Sequence, residues 1–125
     1  MSRLRRFAVY WLPVLFYAGF ILFLSSQPVL PGGGRLPDKP LHALEYSGFT
    51  LVLARAVTTS GFRGLLLPLA ITALASAFFA AFDEYYQSYV PGRDSSALDW
   101  LADLTGIGVT ISLLLLRRSK EHSPA

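Results

Sequence analysis

The sequence predicts an all-α polytopic membrane protein, a bundle of four transmembrane helices with both termini in the cytoplasm. Of its 125 residues, 53% are hydrophobic and only 15% are charged, which is too apolar for an ordinary soluble domain of this length. The apolar residues also form four stretches, each about long enough to cross a bilayer as a helix. A single membrane domain therefore covers residues 1–125.

Two further features of the composition exclude other classes of protein. The chain has no cysteine, so a disulfide framework, a thiolate metal site and a thiol nucleophile are ruled out. Its net charge is +3, but Lys and Arg flank the apolar stretches instead of forming a patch with exposed aromatic residues. The expected partner is thus the lipid bilayer, and no nucleic-acid partner is expected.

The first helix is predicted at about residues 7–25, shortly after three arginines. This stretch is longer than the apolar part of a secretion signal and no small-residue cleavage pattern follows it, so we expect a retained helix. Pro13 predicts a kink within it. Seven prolines and glycines then make residues 28–40 an extended loop.

The second helix is predicted at about residues 41–61 and is the least apolar of the four. Asp38 is placed to cap its N-terminus. The third helix is predicted at about residues 64–87. It covers roughly 27 Å before Asp83, which places that carboxylate at a membrane interface.

A turn at residues 90–93 precedes the fourth helix, which is predicted at about residues 97–116. Ser96 and Asp99 match the capping-box pattern at its start. Further along, Gly106 lies on the same helical stripe as Asp99 and would let another helix approach closely.

Basic residues predict how the helices are oriented. Eight Lys and Arg residues fall on the side of the two termini, and three fall on the other side. Because basic residues concentrate on the cytoplasmic side, both termini are predicted to be cytoplasmic and the loops at 28–40 and 90–93 to face outward. The eight are Arg3, Arg5, Arg6, Arg55, Arg63, Arg117, Arg118 and Lys120, and the three are Arg35, Lys39 and Arg93.

Acidic residues gather on this outward side, which holds seven of the eight. Carboxylates are costly in hydrocarbon unless they are paired, protonated or metal-bound, so the gathering is the best candidate for a functional site. Asp103 is the strongest case, since it lies 14 residues, or roughly 21 Å, from Arg117 at the inner interface. The seven are Asp38, Glu45, Asp83, Glu84, Asp94, Asp99 and Asp103.

Helical spacing groups these residues further. Asp38, His42 and Tyr46 follow one another at intervals of four, so the start of the second helix presents them on one face. Asp99 and Asp103 are also four apart, and a like-charged pair at that spacing needs a cation or a proton nearby. We therefore expect groups from separate helices to meet in one pocket.

An ordered set of motifs, D-K-x-x-H, D-E-x-x-Q, G-R and D-x-x-x-[ND]-x-x-G, runs through residues 36–110. It comprises Asp38, Lys39, His42, Tyr46, Asp83, Glu84, Gln87, Pro91, Gly92, Arg93, Asp99, Asp103 and Gly106. With this set the chain resembles the VanZ-like family of small bacterial membrane proteins, although Asp103 stands where many relatives have Asn. The resemblance implies the bacterial inner membrane, and the family's founding member is associated with resistance to teicoplanin, a glycopeptide that acts on the outer face.

The favoured hypothesis is an outward-facing site that recognises an envelope or lipid-linked molecule, such as a cell-wall precursor or a glycopeptide. Arg93 and Lys39 are expected to contact its anionic groups, while the other side chains hydrogen-bond its hydroxyls and amides. The expected ligand-binding residues are Asp38, Lys39, His42, Glu45, Tyr46, Asp83, Glu84, Gln87, Arg93, Asp99 and Asp103.

Two alternatives stay open. One is a metal-assisted membrane enzyme that acts on a lipid-linked envelope substrate. Its catalytic candidates are His42, Glu45 and Asp103, with His42 or Glu45 as general base and carboxylates holding Mg²⁺ or Ca²⁺. The other is a purely structural cluster, in which Asp38 and Asp99 cap helices and the nearby tyrosines form an aromatic belt. The pattern of residues identifies neither the ligand nor the oligomeric state.

Overall fold

The computed structural model describes residues 1–28 and 38–121, and every regular element in them is an α-helix. The helices are α1 (Arg3–Ser25), α2 (Asp38–Thr58), α3 (Leu66–Gln87) and α4 (Ala97–Glu121). The predicted all-α class and the four helices are therefore confirmed. Most of the loop predicted at 28–40 lies outside the described residues.

Two helices extend beyond their predicted ends. α1 begins at Arg3 because Ser2 caps it, its hydroxyl accepting the backbone N–H of Arg5 at 3.2 Å. α4 continues to Glu121, with Lys120 in its last turn, where a basic side chain interacts favourably with the negative end of the helix dipole. In these two helices, polar residues beyond the apolar stretch add about one turn.

The start of α2 corrects the predicted cap. Asp38 is the first residue of the helix, so its carboxylate lies in the first turn, where the positive end of the helix dipole favours a negative charge. The helix ends at Thr58, earlier than predicted. The hydroxyls of Thr59 and Ser60 donate to last-turn carbonyls, at 2.9 Å and 2.8 Å, and so compete with continued helix.

α2 lies at the centre of the bundle. It packs against α1, α3 and α4, while α3 also packs against α1 and α4. The C-terminal ends of α1 and α3 lie beside the N-terminal ends of α2 and α4. Aromatic side chains fill the core around α2, where the rings of Phe49 and Phe79 stack 5.0 Å apart and Tyr46 packs edge-on against Phe49.

The outside of the bundle is apolar and much of its inside is polar. Phe16 on α1 and Phe78 on α3 are each 77% exposed, whereas Thr50 and Thr72 are fully buried. A soluble domain has the opposite arrangement, and a lipid environment accounts for this one. α1, α3 and the Ala97–Lys120 part of α4 are long and apolar enough to cross a membrane, which indicates a membrane protein.

Among the described residues, α2 is not one of these candidate spans. Its charged residues, among them Lys39, Glu45 and Arg55, lower its mean hydropathy. The central position of α2 explains how such a composition is tolerated, because three neighbouring helices cover it and little of it would face lipid.

Gly106 sets the distance between α2 and α4. A Cβ at this position would collide with the backbone carbonyl of Ala43, so only glycine permits the two helices to lie this close. The hydroxyl of Ser47 donates to the Gly106 carbonyl at 3.1 Å and fastens the crossing. The predicted close approach is thus present at Gly106, and it brings the acidic start of α4 against the start of α2.

Candidate functional site

Side chains from all four helices meet at one end of the bundle, where α1 and α3 end and α2 and α4 begin. We call this region the polar end. It combines predicted site residues with groups from α1 that the sequence did not single out. Its members are Leu24, Ser25, Gln27, Asp38, Lys39, His42, Glu45, Tyr46, Asp83, Glu84, Gln87, Arg93, Ser96, Asp99 and Asp103.

A buried imidazole–carboxylate pair lies at the centre of the polar end. His42 Nδ1 is 2.9 Å from Asp103 Oδ1, and Asp103 is completely buried. An ionised carboxylate only accepts hydrogen bonds, so the Nδ1 proton of His42 is then the donor. This pair joins α2 to α4 and gives Asp103 the partner that its predicted depth demanded.

Two more carboxylates flank the same imidazole. Glu84 Oε1 is 3.9 Å from His42 Nδ1, and Asp38 Oδ1 is 3.8 Å from Nε2 on the other side of the ring. Both distances are too long for a direct hydrogen bond. His42 is therefore surrounded by three acids and bonded to one of them, which stabilises a positive charge on the ring.

Glu84 lies inside the protein, not at a solvated helix end. Only 8% of the residue is exposed, and its Oε2 accepts the backbone N–H of Ser96 at 3.3 Å. The hydroxyl of Ser96 in turn accepts the backbone N–H of Asp99 at 3.2 Å, as the capping-box pattern predicts. The reciprocal bond of that pattern is replaced, because Asp99 Oδ1 instead pairs with Lys39 Nζ at 3.2 Å.

Asp83 is held by a separate set of donors. Its Oδ2 lies 3.3 Å from the Tyr46 hydroxyl and 3.3 Å from Gln87 Nε2. Gln87 Nε2 also donates to the Ser25 hydroxyl at 3.2 Å, which ties α3 to the end of α1. Nothing in the sequence singled out Ser25, because a serine after an apolar stretch is common and its role depends on how α1 and α3 pack.

Arg93 closes the end of α1. One guanidinium nitrogen donates to Gln87 Oε1 at 2.7 Å, and the other lies 3.5 Å from the Leu24 carbonyl and 3.4 Å from the Gln27 carbonyl. Gly92, at φ 80°, supplies the turn that aims Arg93 back at α1. Arg93 therefore binds helix-end carbonyls within the protein, where the sequence led us to expect contact with an anionic ligand.

Glu45 connects the polar end to α1. Its backbone carbonyl accepts the hydroxyl of Tyr17 at 3.0 Å, and its carboxylate has Asp83 and Arg93 among its charged neighbours. Oε1 of this carboxylate is buried, and no described residue gives it a hydrogen bond. His42 and Asp103 are also among its charged neighbours, so Glu45 belongs to the same electrostatic cluster as the central pair.

The polar end has more acceptors than donors. Considering only the described residues, four buried carboxylate oxygens lack a hydrogen-bond partner, one each on Glu45, Asp83, Glu84 and Asp103. Leaving such an atom unsatisfied costs on the order of 1–3 kcal/mol. Since Lys39 and Arg93 are already engaged, the arrangement can accept a cation or a ligand that donates hydrogen bonds.

An open cleft lies beside this acceptor-rich region. It has a volume of ≈ 360 Å³ and lies between the end of α3 and the start of α4. Glu84, Tyr85, Ser96 and Trp100 are among the residues that line it. Of the four described carboxylates with an unpartnered oxygen, Glu84 is the one in the lining, so a molecule in the cleft would contact it before the other three.

A scan against family models, a search of curated proteins and a search of solved structures each found no match to this chain. The membership in the VanZ-like family therefore stays a prediction from the sequence motifs.

Proposed function

We propose that this chain is a multi-pass protein of the bacterial inner membrane whose polar end faces outward and recognises an envelope or lipid-linked molecule. In this proposal α2 also crosses the membrane, which gives four transmembrane helices, and both termini are cytoplasmic. The proposal rests above all on one observation, the buried carboxylate oxygens of the polar end that lack a partner among the described residues. Buried acceptors of this kind are the groups a polar ligand would satisfy.

The distribution of charge supports the proposed orientation. The end of the bundle opposite the polar end carries Arg55, Arg117 and Arg118 around one pocket and Arg3 and Arg6 around another. Basic residues concentrate on the cytoplasmic side of membrane proteins, so this end is assigned to the cytoplasm. The link to glycopeptide resistance of the teicoplanin type follows from the resemblance and belongs to the same proposal.

The chemistry of the polar end supports a particular kind of ligand. Among the residues that the structure describes, the permanent cations of the polar end are Lys39 and Arg93, and both are bonded within the protein, which favours a ligand that donates hydrogen bonds over an anionic one. Sugar hydroxyls, amide N–H groups and amines donate hydrogen bonds to carboxylates, and a lipid-linked cell-wall precursor or a glycopeptide presents such groups. The proposed contacts are made first by Glu84, which lines the cleft.

Binding to purified protein tests the proposal. We expect detergent-solubilised full chain to bind teicoplanin or a lipid-linked peptidoglycan precursor in calorimetric titrations, with affinity reduced at least about tenfold by Glu84→Gln. Asp94→Asn, which removes an exposed acid of the α3–α4 turn, serves as the control and leaves affinity unchanged. Absence of binding by the unmodified chain to both probes, or equal binding by both variants, would reject recognition.

A second candidate function is an enzyme that uses His42 as general base on a lipid-linked envelope substrate. The observation in its favour is the 2.9 Å contact with Asp103, since a carboxylate that orients an imidazole is a common feature of general-base sites. Turnover of the precursor, lost in His42→Ala, would support it. Binding without any product after prolonged incubation would leave recognition alone.

The structural alternative makes a different prediction for the same variants. If the polar end only locks the helices together, Glu84→Gln lowers the unfolding temperature in detergent, and any loss of binding is a consequence of that loss of stability. Recognition instead predicts that Glu84→Gln loses affinity while the protein keeps most of its stability. Thermal unfolding measured beside each titration separates the two.

A further inference from the structure

We infer that His42, Glu84 and Asp103 form a binding site for a divalent transition-metal ion such as Zn²⁺. The three residues come from α2, α3 and α4, and all three are buried. Each can offer one ligand atom, and these atoms all lie within 4.8 Å of one another. This inference concerns the ion alone and stands apart from the recognition of an envelope molecule.

We call His42, Glu84 and Asp103 the triad, and the distances between their ligand atoms fit a small ion. A tetrahedral ion with bonds of about 2.1 Å holds its ligand atoms roughly 3.4 Å apart. The separations of His42 Nδ1 from Asp103 Oδ1, 2.9 Å, and from Glu84 Oε1, 3.9 Å, lie on either side of that value. Small side-chain rotations would therefore bring the three atoms to metal-ligand spacing. The ion would replace the proton that Nδ1 shares with Asp103, and the neutral imidazole would then carry its proton on Nε2.

Two oxygens of the triad independently point to cation binding. Glu84 Oε1 faces His42 and is buried, and Asp103 Oδ2 is buried on a residue with no exposed surface. Neither atom has a hydrogen-bond partner among residues 1–28 and 38–121. A cation bound by both carboxylates would neutralise the negative charge that each one shares over its two oxygens, and His42 by itself carries at most one compensating charge.

The imidazole determines which class of ion fits. Mg²⁺ and Ca²⁺, the ions expected from the carboxylates alone, prefer shells made entirely of oxygen. A site with one imidazole nitrogen and two carboxylate oxygens suits Zn²⁺ or a similar transition metal. Three protein ligands also leave one position of a tetrahedral shell open for a water molecule or another ligand.

A competing cluster of Asp38, His42 and Asp99 shares the imidazole but is less suitable as a metal site. Asp38 Oδ1 lies 3.8 Å from His42 Nε2, and Asp99 could offer a third ligand atom. Asp99, however, is already neutralised by Lys39 at 3.2 Å, and the Asp38 side chain is 47% exposed. The triad of His42, Glu84 and Asp103 contains no such cation and is the better-shielded site.

Metal titration of the full chain tests the inference. The protein is purified in detergent without a histidine tag, stripped with a chelator and titrated with Zn²⁺, Mg²⁺ and Ca²⁺ by calorimetry. We expect one Zn²⁺ per chain, bound at least about 100-fold more tightly than Mg²⁺ or Ca²⁺. Failure of the stripped chain to bind Zn²⁺, or equal affinity for Mg²⁺, would overturn the inference whatever the variants show.

Charge-neutralising variants locate the ion. Glu84→Gln and Asp103→Asn should each weaken Zn²⁺ binding by more than the roughly 10- to 100-fold that loss of an outer hydrogen-bonding partner costs. Asp94→Asn removes the same unit charge at an exposed position and should have no effect, and Asp99→Asn tests the competing cluster. Loss of binding in Asp99→Asn with retention in Glu84→Gln would contradict the assignment.

X-ray absorption at the zinc edge is measured on the unmodified chain, so its result does not depend on how well the Glu84 and Asp103 variants fold. The spectrum of the unmodified chain should show one imidazole among nitrogen and oxygen ligands. His122 is the other histidine, so the measurement is repeated on His122→Gln and should be unchanged. A shell without imidazole, or one that loses its imidazole in His122→Gln, would refute the site.

Discussion

At the scale of single residues, the pairing with His42 explains how the carboxylate of Asp103 can be buried inside an apolar bundle. Asp103 has no exposed surface, and an isolated carboxylate there would be costly. Its 2.9 Å contact with His42 replaces part of the lost hydration and joins α2 to α4. In a low-dielectric surrounding such a bond is stronger than in water, so removal of either partner leaves a costly group behind.

A double-mutant cycle should reveal this coupling. We expect His42→Ala, Asp103→Ala and the double variant to give an interaction free energy of about 1–3 kcal/mol, because the bond is buried and charge-assisted. Denaturation of the detergent-solubilised protein by SDS, followed by helical circular dichroism, measures it. Effects that simply add would mean that the two side chains do not depend on each other.

The pair of Lys39 and Asp99 is the internal comparison for that cycle. Its separation is 3.2 Å, but the Lys39 side chain is 53% exposed, so solvent screens the interaction. The same cycle applied to this pair should give less than about 1 kcal/mol. A coupling here as large as that of the buried pair would mean that solvent screens this end of the bundle less than the exposure of Lys39 indicates.

At the scale of the helices, the crossing of α2 and α4 is what assembles the polar end. Gly106 lies directly against the Ala43 carbonyl, and Thr110 and Ser47 bridge the same helices one turn further along. Because a backbone carbonyl cannot rotate aside as a side chain can, any substituent at Gly106 must push the helices apart. Such a shift would separate His42 from Asp103.

Gly106→Ala tests the importance of this crossing. We expect it to destabilise the bundle by about 1–3 kcal/mol, as forced overpacking does, and to weaken any ligand or ion binding at the polar end. Gly108→Ala is the matched control, because no described atom outside its own helix lies within 4 Å of a Cβ there. That control should be neutral or stabilising by up to about 1 kcal/mol through helix propensity, as thermal unfolding would show. Equal unfolding temperatures for the two variants would contradict the close crossing.

At the scale of the whole molecule, the two ends of the bundle and the surface between them carry different types of side chain. Acidic and amide groups fill the polar end, arginines surround the opposite end, and apolar side chains cover the lipid-facing surface between them. The central position of α2 makes this possible, because this helix carries several charged residues and is covered by three helices that are mostly apolar. The proposed outward orientation follows from this asymmetry together with the positive-inside rule.

Labelling of single cysteines tests the orientation, since the chain has no cysteine of its own. In intact bacterial cells, Ser95→Cys in the α3–α4 turn should react with a membrane-impermeant maleimide. Ser60→Cys, between α2 and α3, should react only after lysis. The opposite pattern would reverse the topology, and labelling of both positions in intact cells would mean that α3, the helix between them, does not cross the membrane.

The sequence was sufficient for the number of helices and for most residues of the polar end, but not for the groups of Leu24, Ser25 and Gln27 at the end of α1. Long apolar stretches predict helices because a chain in lipid must satisfy its own backbone hydrogen bonds, and α1, α3 and α4 follow from this. Carboxylates at the ends of such stretches stand out by their cost in hydrocarbon, which is why the sequence alone identifies Asp103 and Glu84 as candidate site residues. Capping signals were less decisive, and Asp38 lies inside α2 instead of before it.

Only the tertiary structure decided how these residues pair. The assignment of Asp103 to His42, of Lys39 to Asp99 and of Arg93 to the carbonyls of α1 depends on which helix faces which. Helical spacing fixes neighbours within one helix, but contacts between helices depend on crossing distance and rotation, which Gly106 and the core around α2 set. The sequence by itself therefore determined that acidic groups of α2, α3 and α4 share one end of the bundle, because helix length fixes where each helix ends. Packing determined which groups of α1 join them and which of their oxygens remain available.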